Sequence, residues 1–383
     1  MRRVYLDHAA TTPLSENVFN TMLPYFTEEF GNADSPHAAG RKAVGAVDNA
    51  RDAVAELLGA KANEIYFTSG GTEADNWAVI GGAYAQKKKG KTQILVSAIE
   101  HHAVLYAAEK LEQEGFDVGY LPVNEGGMVE LNALKAAISE RTGLVAVMAA
   151  NNETGVLQPI KELAEIAHAY GAVFFTDAVQ YAPYHSISVK ELGVDMLSLS
   201  SHKFYGPKGC GALYIRAGVK IERFIGGGEQ ERGLRGGTTN VPAVVGLAEA
   251  LKQNGATMSA TNEKIKELSD LFLQEISTLS GVFVNGAGAK LPSVLNLRVQ
   301  GVSNTELLYK LDLQGVCIAV GSACASASVK PSHVLLAMGL TEAEARESVR
   351  ISFGKGNTKE DVLYAARIFK ETVTALRRFE LRE

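Results

Sequence analysis

The feature that most restricts the fold of this chain is an alternation of apolar runs with amphipathic stretches between residues 43 and 215. Runs suited to strands occupy 64–68, 93–98, 118–123, 144–149, 173–177, 194–199 and 211–215. Stretches 43–58, 103–114, 131–139 and 160–170, with another running from the 69–76 segment to about 86, suit helices between and around them. This strand–helix rhythm predicts an α/β fold with a mainly parallel sheet covered by helices on both faces. After a helix at 241–252 the pattern changes near Asn254-Gly255. An amphipathic helix at 262–278 is followed by strands at 294–299, 317–320 and 349–352 and helices at 305–313 and 359–378. That mixture reads as a smaller α+β domain. A chain of 383 residues exceeds what one small core supports. The expected division is a large domain at 14–255, and a small domain made of 1–13 with 256–383.

Composition removes several classes of function. Hydrophobic residues make up 46% and charged residues 21%, as in a soluble globular protein. The net charge of −5 gives no footprint for nucleic acid. No apolar run is long enough for a membrane span, and the first residues carry no signal-peptide core. Three cysteines do not make a disulfide framework, so a cytoplasmic location is expected.

Ligands of open α/β sheets bind beyond the carboxyl ends of the strands, and the unusual polar residues gather at those ends. Ser69-Gly70-Gly71-Thr72-Glu73 joins a strand to a helix start, where free N–H groups suit an anion, or where Thr72 simply caps the helix. His101-His102, Asn151-Asn152-Glu153-Thr154-Gly155 and Asp177 with Gln180 follow other strands. Ser200-Ser201-His202-Lys203 places a lysine among hydroxyls and an imidazole, groups that suit a phosphate. A lysine at one strand end and an aspartate closing the preceding strand are what pyridoxal phosphate needs. The lysine forms a Schiff base, and the aspartate keeps the pyridine nitrogen protonated. The stretch from Gly226 to Asn240 is too rich in glycine and charge for regular structure and suits a ligand or subunit surface. Cys324 sits in Gly321-Ser322-Ala323-Cys324-Ala325-Ser326, small and polar surroundings in which a thiol is accessible and reactive. Cys210 and Cys317 lie among glycine and aliphatic residues and read as buried hydrophobes. Arg350 lies inside an apolar strand and needs a carboxylate partner, either a ligand or an internal one.

Nearly end to end, the chain resembles the cysteine desulfurases, pyridoxal-phosphate enzymes of aminotransferase fold type I. The resemblance is carried by Tyr5-Leu6-Asp7-His8-Ala9-Ala10-Thr11-Thr12, Thr68-Ser69-Gly70-Gly71-Thr72-Glu73, Glu100-His101, Asn151-Asn152-Glu153 and Asp177-Ala178-Val179-Gln180. It continues through Ser200-Ser201-His202-Lys203, Arg235-Gly236-Gly237-Thr238, Gly321-Ser322-Ala323-Cys324 and Arg350-Ile351-Ser352. The cysteine motif, followed by Pro331-Ser332-His333-Val334-Leu335, is similar to the group with the longer cysteine loop. That group supplies iron–sulfur cluster assembly or tRNA thiolation.

The resemblance implies conversion of L-cysteine to L-alanine, with sulfur carried as a persulfide on Cys324. It implies that Lys203 binds the cofactor and later moves protons, that His101 stacks on the ring and takes part in acid–base steps, and that Asp177 pairs with the ring nitrogen. Gln180 and Asn152 would lie by the cofactor and substrate, and Gly71, Thr72, Ser200 and His202 would hold the phosphate. Thr238 would reach the phosphate of a partner subunit, which makes a homodimer. Arg350 would bind the substrate carboxylate. No resident metal is implied, although Cys324 could ligate an iron–sulfur cluster during transfer. The partner would be a sulfur-acceptor protein, such as a cluster scaffold or a tRNA-thiolation protein. Two stretches depart from the family pattern. Gly31-Asn32-Ala33-Asp34-Ser35-Pro36-His37 replaces Gly-Asn-Pro-Ser-Ser-x-His, and Glu229 stands where a third glycine is usual. The competing expectations are an aminotransferase or lyase of the same fold, in which Cys324 is incidental, and a chiefly structural member of a cluster-assembly complex.

Overall fold

The structure is a computed structural model that describes residues 2–321 and 330–380, so Cys324 lies outside the described residues. Seven strands form the main sheet in the order Ile65–Thr68, Gly211–Ile215, Met196–Ser200, Val173–Asp177, Thr142–Ala146, Gln93–Ser97 and Asp117–Leu121. From Met196–Ser200 to Asp117–Leu121 every pairing is parallel, and Gly211–Ile215 runs antiparallel to both its neighbours. Side chains alternate between faces along each strand, and both faces are buried. Phe174 and Leu197 pack on one side with Val47, Val54 and Leu163. Phe175 and Met196 pack on the other with Trp77, Val104 and Leu111. This is the expected α/β class, and it aligns the carboxyl ends of the parallel strands along one rim.

A separate core surrounds the antiparallel sheet Ser348–Ser352, Val294–Val299 and Val282–Val284. Helices Asn304–Leu313 and Lys359–Glu380 cover it, and Val4 and Leu6 from the N-terminus enter it. Val4–Tyr5 pairs in parallel with Val316–Cys317, which is shorter than the 317–320 strand expected, although Ala319 keeps an isolated bridge to Arg350. Among the described residues, no helix is long and apolar enough to cross a membrane.

Two expectations from local pattern fail here. The helices expected at 241–252 and 262–278 are one helix, Val241–Ile276. A glycine inside a helix costs only about 1 kcal/mol. The Asn254 amide, which would otherwise favour a turn, is buried and donates to the carbonyls of Ala182 (3.3 Å) and Pro183 (3.0 Å). Leu247 and Leu251 anchor the first half in the sheet core, and Ile265, Leu268 and Phe272 anchor the second half in the other core. The polar loop expected at 31–41 also gives way to helix Ala38–Leu58, whose first turn is capped by the His37 ring accepting from the Gly40 N–H.

The glycine-rich stretch after Ile225 holds a short helical turn, Gln230–Gly233, with Glu231 and Arg232 in left-handed conformation (φ 46° and 58°). Its charges order it. The Glu231 carboxylate accepts two hydrogen bonds from the Arg51 guanidinium, at 2.7 and 2.8 Å, and a third from the Phe67 N–H at 3.1 Å. The Arg232 guanidinium lies 3.9 Å from the centre of the Tyr66 ring.

Candidate active site

A cavity of about 480 Å³ opens at the strand-end rim. Gly71, Thr72, His101, Asn152, Asp177, Gln180, Ser200, His202, Lys203 and Arg350 all line it. These residues come from six separate stretches of sequence. Thr238 does not line it. It lies in a neighbouring cavity of about 170 Å³, and the two cavities share Ser69 and Gly209.

One wall joins a helix start to small and polar residues. The strand Ile65–Thr68 ends at Ser69-Gly70, and a helix begins at Gly71. A side-chain carbon on Gly71 would come within 2.9 Å of Val179 and 3.4 Å of Ser200, so only glycine lets these elements meet. The Thr72 and Ser200 side chains and the His202 imidazole border the same space. The Glu73 carboxylate is fixed beside it by Arg235, at 2.8 and 3.1 Å.

The floor is acidic and buried. Asp177 ends its strand with Oδ1 accepting from the Val179 N–H at 2.8 Å. Burial pushes its pKa up to about 6, against the pull of that hydrogen bond and of the Lys203 ammonium. Asp75, buried beside it, accepts from the Ser198 hydroxyl at 2.5 Å, and burial and the Asp177 charge hold it well above the usual carboxylate range. Glu100 accepts from the Ser97 hydroxyl and from the Met148 N–H, and its second oxygen has no hydrogen-bond partner among the described residues. Asp177 and Asp75 line the cavity, whereas Glu100 does not, and burial keeps Glu100 protonated at neutral pH.

The Glu100 environment sets a measurable pH dependence. Burial raises its pKa from 4.5 to about 8. Between those values the folded chain holds a proton that the unfolded chain has lost, so this group removes stability as pH rises through that window. Glu100→Gln keeps the shape and the accepting oxygen without the titration. Its stability relative to the parent should grow by on the order of 1 kcal/mol per pH unit across the window. Urea unfolding of both proteins at pH 5 and pH 8 measures this, and an unchanged difference would contradict it.

Above the floor, the Lys203 ammonium donates to the carbonyls of Ala9 (2.7 Å) and Ala10 (2.8 Å). The Gln180 amide also donates to the Ala9 carbonyl, at 2.8 Å. His101 caps helix His102–Gln113 by accepting from the Ala103 N–H at its Nδ1. Burial, then the Lys203 charge, lowers its pKa to about 4, so the ring is neutral at pH 7 and carries its proton on Nε2. His202 is lowered to about 4 by burial and by Lys203 and Lys208, and its Nδ1 lies 3.0 Å from the Thr11 hydroxyl.

Arg350 is 1% exposed. Its guanidinium donates to Asp7 Oδ1 at 2.7 Å and to the Asn152 carbonyl at 3.0 Å, while Nε has no hydrogen-bond partner among the described residues. Of the two alternatives read from the sequence, the internal carboxylate partner is present as Asp7, and Arg350 also lines the cavity. The roles of Asp7, Asp75 and Glu100 were missed. Asp7 and Glu100 fell within motifs, but nothing nearby in sequence shows that they meet Arg350 or one another's surroundings.

The chain matches the aminotransferase class-V family over residues 4–364. It is 46% identical over 376 residues to the cysteine desulfurase IscS of Clostridium botulinum, covering 97% of this chain and 94% of that one. It belongs to the cysteine desulfurases of the class-V aminotransferase family. Among solved structures, a NifS-like protein superimposes with a TM-score of 0.92 at 36% identity, covering 98% of this chain and all of the other (100%). The structure of SspA in complex with cysteine gives a TM-score of 0.81 at 35% identity, covering 93% of this chain and 100% of SspA.

In this class-V family member the two stretches that carry the departures from the family pattern meet. The Gln230 amide, next to Glu229, donates to Asp34 at 2.6 Å, and its oxygen accepts from the Gly237 N–H at 3.0 Å, beside Thr238. Of the two other cysteines, Cys210 is buried as expected, and burial pushes its thiol up to about 12. Cys317 is only partly buried, contrary to expectation, because its two-residue strand lies at the edge of a two-stranded ribbon. Its pKa is also raised, by burial and then by Asp312.

Proposed function

We propose that this chain is a pyridoxal-phosphate-dependent cysteine desulfurase that converts L-cysteine to L-alanine. The sulfur leaves as a persulfide on Cys324 and passes to an acceptor protein for iron–sulfur cluster assembly or tRNA thiolation. The observation that carries the reading is the meeting of Lys203, Asp177 and Arg350 around one cavity that Gly71, Thr72, Ser200 and His202 also line. The residues present fit the cofactor. Gly71, Thr72, Ser200 and His202 would hold its phosphate, Asp177 would face its ring nitrogen, and Lys203 would bind it covalently. Bound there, pyridoxal phosphate supplies an electron sink for bond breaking at the substrate α-carbon.

The chain's own groups do the rest. Arg350 takes the substrate carboxylate on its unpartnered edge, with Asn152 beside it, while Asp7 steadies the guanidinium from behind. Gln180 fixes the Ala9 carbonyl against which Lys203 rests. Lys203 moves the α-proton. His101, neutral with its proton on Nε2, acts first as a donor, because its other nitrogen is engaged by the Ala103 N–H. Cys324 attacks the substrate sulfur as thiolate. The thiol chemistry fits a reducing cytoplasm, and residues 14–255 and 1–13 with 256–383 serve as the cofactor-binding and cysteine-bearing domains. The test is to supply pyridoxal phosphate and L-cysteine and assay products. Alanine with persulfide on the Cys324 peptide supports the reading, and pyruvate or another keto acid in place of alanine overturns it.

The homodimer belongs to the same reading. Thr238 lies outside the Lys203 cavity of its own chain, in a space that adjoins it, which suits a residue serving a partner's phosphate. Sedimentation at working concentration should find a dimer, and a fully active monomer would refute the shared site.

A further inference from the structure

We propose that Thr12 is a positioning residue for Lys203, its hydroxyl tying together the main chain on either side of the lysine. The inference rests on the reading of Lys203 as the cofactor-binding lysine. Thr12 is 3% exposed. Its hydroxyl donates to the His202 carbonyl, immediately before the lysine, at 2.8 Å. The same oxygen accepts from the Tyr205 N–H, two residues after the lysine, at 2.9 Å. The Thr12 N–H also donates to the His202 carbonyl, at 3.0 Å.

The turn needs such a tie because it is strained. Tyr205 has φ 67°, a left-handed conformation that costs a residue with a side chain about 1–2 kcal/mol. Such a conformation persists only where its surroundings fix it. Beyond Thr12, the Tyr205 carbonyl accepts from the Ser15 N–H at 2.9 Å, and its hydroxyl accepts from the Lys355 N–H at 2.7 Å. The Lys355 ammonium lies 4.8 Å from the centre of its ring. The turn packs closely at the next residue too, where only a glycine fits: a side-chain carbon on Gly206 would fall 2.0 Å from the Ser201 hydroxyl. Residues 9–12 thus define the lysine twice. The Ala9 and Ala10 carbonyls receive its ammonium, and Thr12 fixes its backbone.

Removing the hydroxyl leaves the half-buried Tyr205 N–H without its acceptor and frees the turn to relax. Thr12→Val keeps the side-chain shape and loses the hydroxyl, whereas Thr12→Ser keeps the hydroxyl. Full-length, cofactor-free proteins are mixed with pyridoxal phosphate, reduced with borohydride at intervals, and read by mass spectrometry for the adduct on the Lys203 peptide. Thr12→Val should form it about tenfold more slowly than the parent, and Thr12→Ser within about threefold of the parent rate, the scale expected for a small misplacement of a reacting group. In the loaded enzymes, kcat should fall with KM for cysteine little changed. If Thr12→Val does not fold, Thr12→Ala removes the same hydroxyl and is read in its place. Equal rates for parent and hydroxyl-free variant overturn the proposal, as does a Thr12→Ser rate as slow as that of Thr12→Val. Absence of any Lys203 adduct in the parent overturns the cofactor reading and this proposal together, and is distinguishable from equal rates.

Discussion

Lys203→Ala is expected to abolish alanine formation, by at least about 10⁴-fold, the scale seen when a covalent catalytic group is deleted. The borohydride-trapped adduct on that peptide should vanish with it. The lysine has no substitute in the cavity. Lys208 also lines it, but the ammonium that rests on the Ala9 and Ala10 carbonyls is that of Lys203, in the turn directly after strand Met196–Ser200. Lys203→Arg should be no better than alanine, because a guanidinium stays protonated and cannot form the imine. Cofactor retention through the phosphate wall should fall only partly, since Gly71, Thr72, Ser200 and His202 remain. Full activity in Lys203→Ala would sink the assignment of the cofactor to this cavity.

Cys324→Ser is expected to keep cofactor binding and lose alanine and persulfide formation by at least roughly 10³-fold. A hydroxyl is a far weaker nucleophile toward sulfur than a thiolate. The structure sharpens the contrast with the other cysteines. The Cys210 thiol is pushed up to about 12 and that of Cys317 is also raised, so neither offers much thiolate at neutral pH. Cys210→Ser and Cys317→Ser should therefore turn over normally, at most with some loss of stability. Mass spectrometry after mixing with L-cysteine should place one added sulfur on the Cys324 peptide. Sulfur on a different cysteine, or normal turnover by Cys324→Ser, would move the nucleophile elsewhere and favour a lyase.

The sheet and the residues around its rim were legible because both follow short-range rules. A short apolar run within the strand–helix rhythm marked the strand Val173–Asp177, and the open-sheet rule then put Asp177 and Lys203 at neighbouring strand ends. The connections that tune the site were not legible. Asp7 and Arg350 are 343 residues apart in sequence, and Arg51 and Glu231 are 180 apart. Such pairs leave no periodic trace. The same limit explains the helix Val241–Ile276: Asn254-Gly255 reads locally as a turn, and only the distant carbonyls of Ala182 and Pro183 make it helical. Glycine and charge density around Glu231 likewise reads as a loop without regular structure until the guanidinium of Arg51 that holds it is known.

That unbroken helix has a mechanical consequence. Its 36 residues make a rod about 54 Å long at 1.5 Å per residue. One end is embedded behind the wall that bears Lys203, the other behind the sheet that bears Arg350. Folding the two walls together like a jaw would mean bending that rod and breaking main-chain hydrogen bonds, each worth about 1 kcal/mol net. The helix therefore ties the wall that bears Lys203 to the sheet that bears Arg350, and relative movement of the two would register as bending along it.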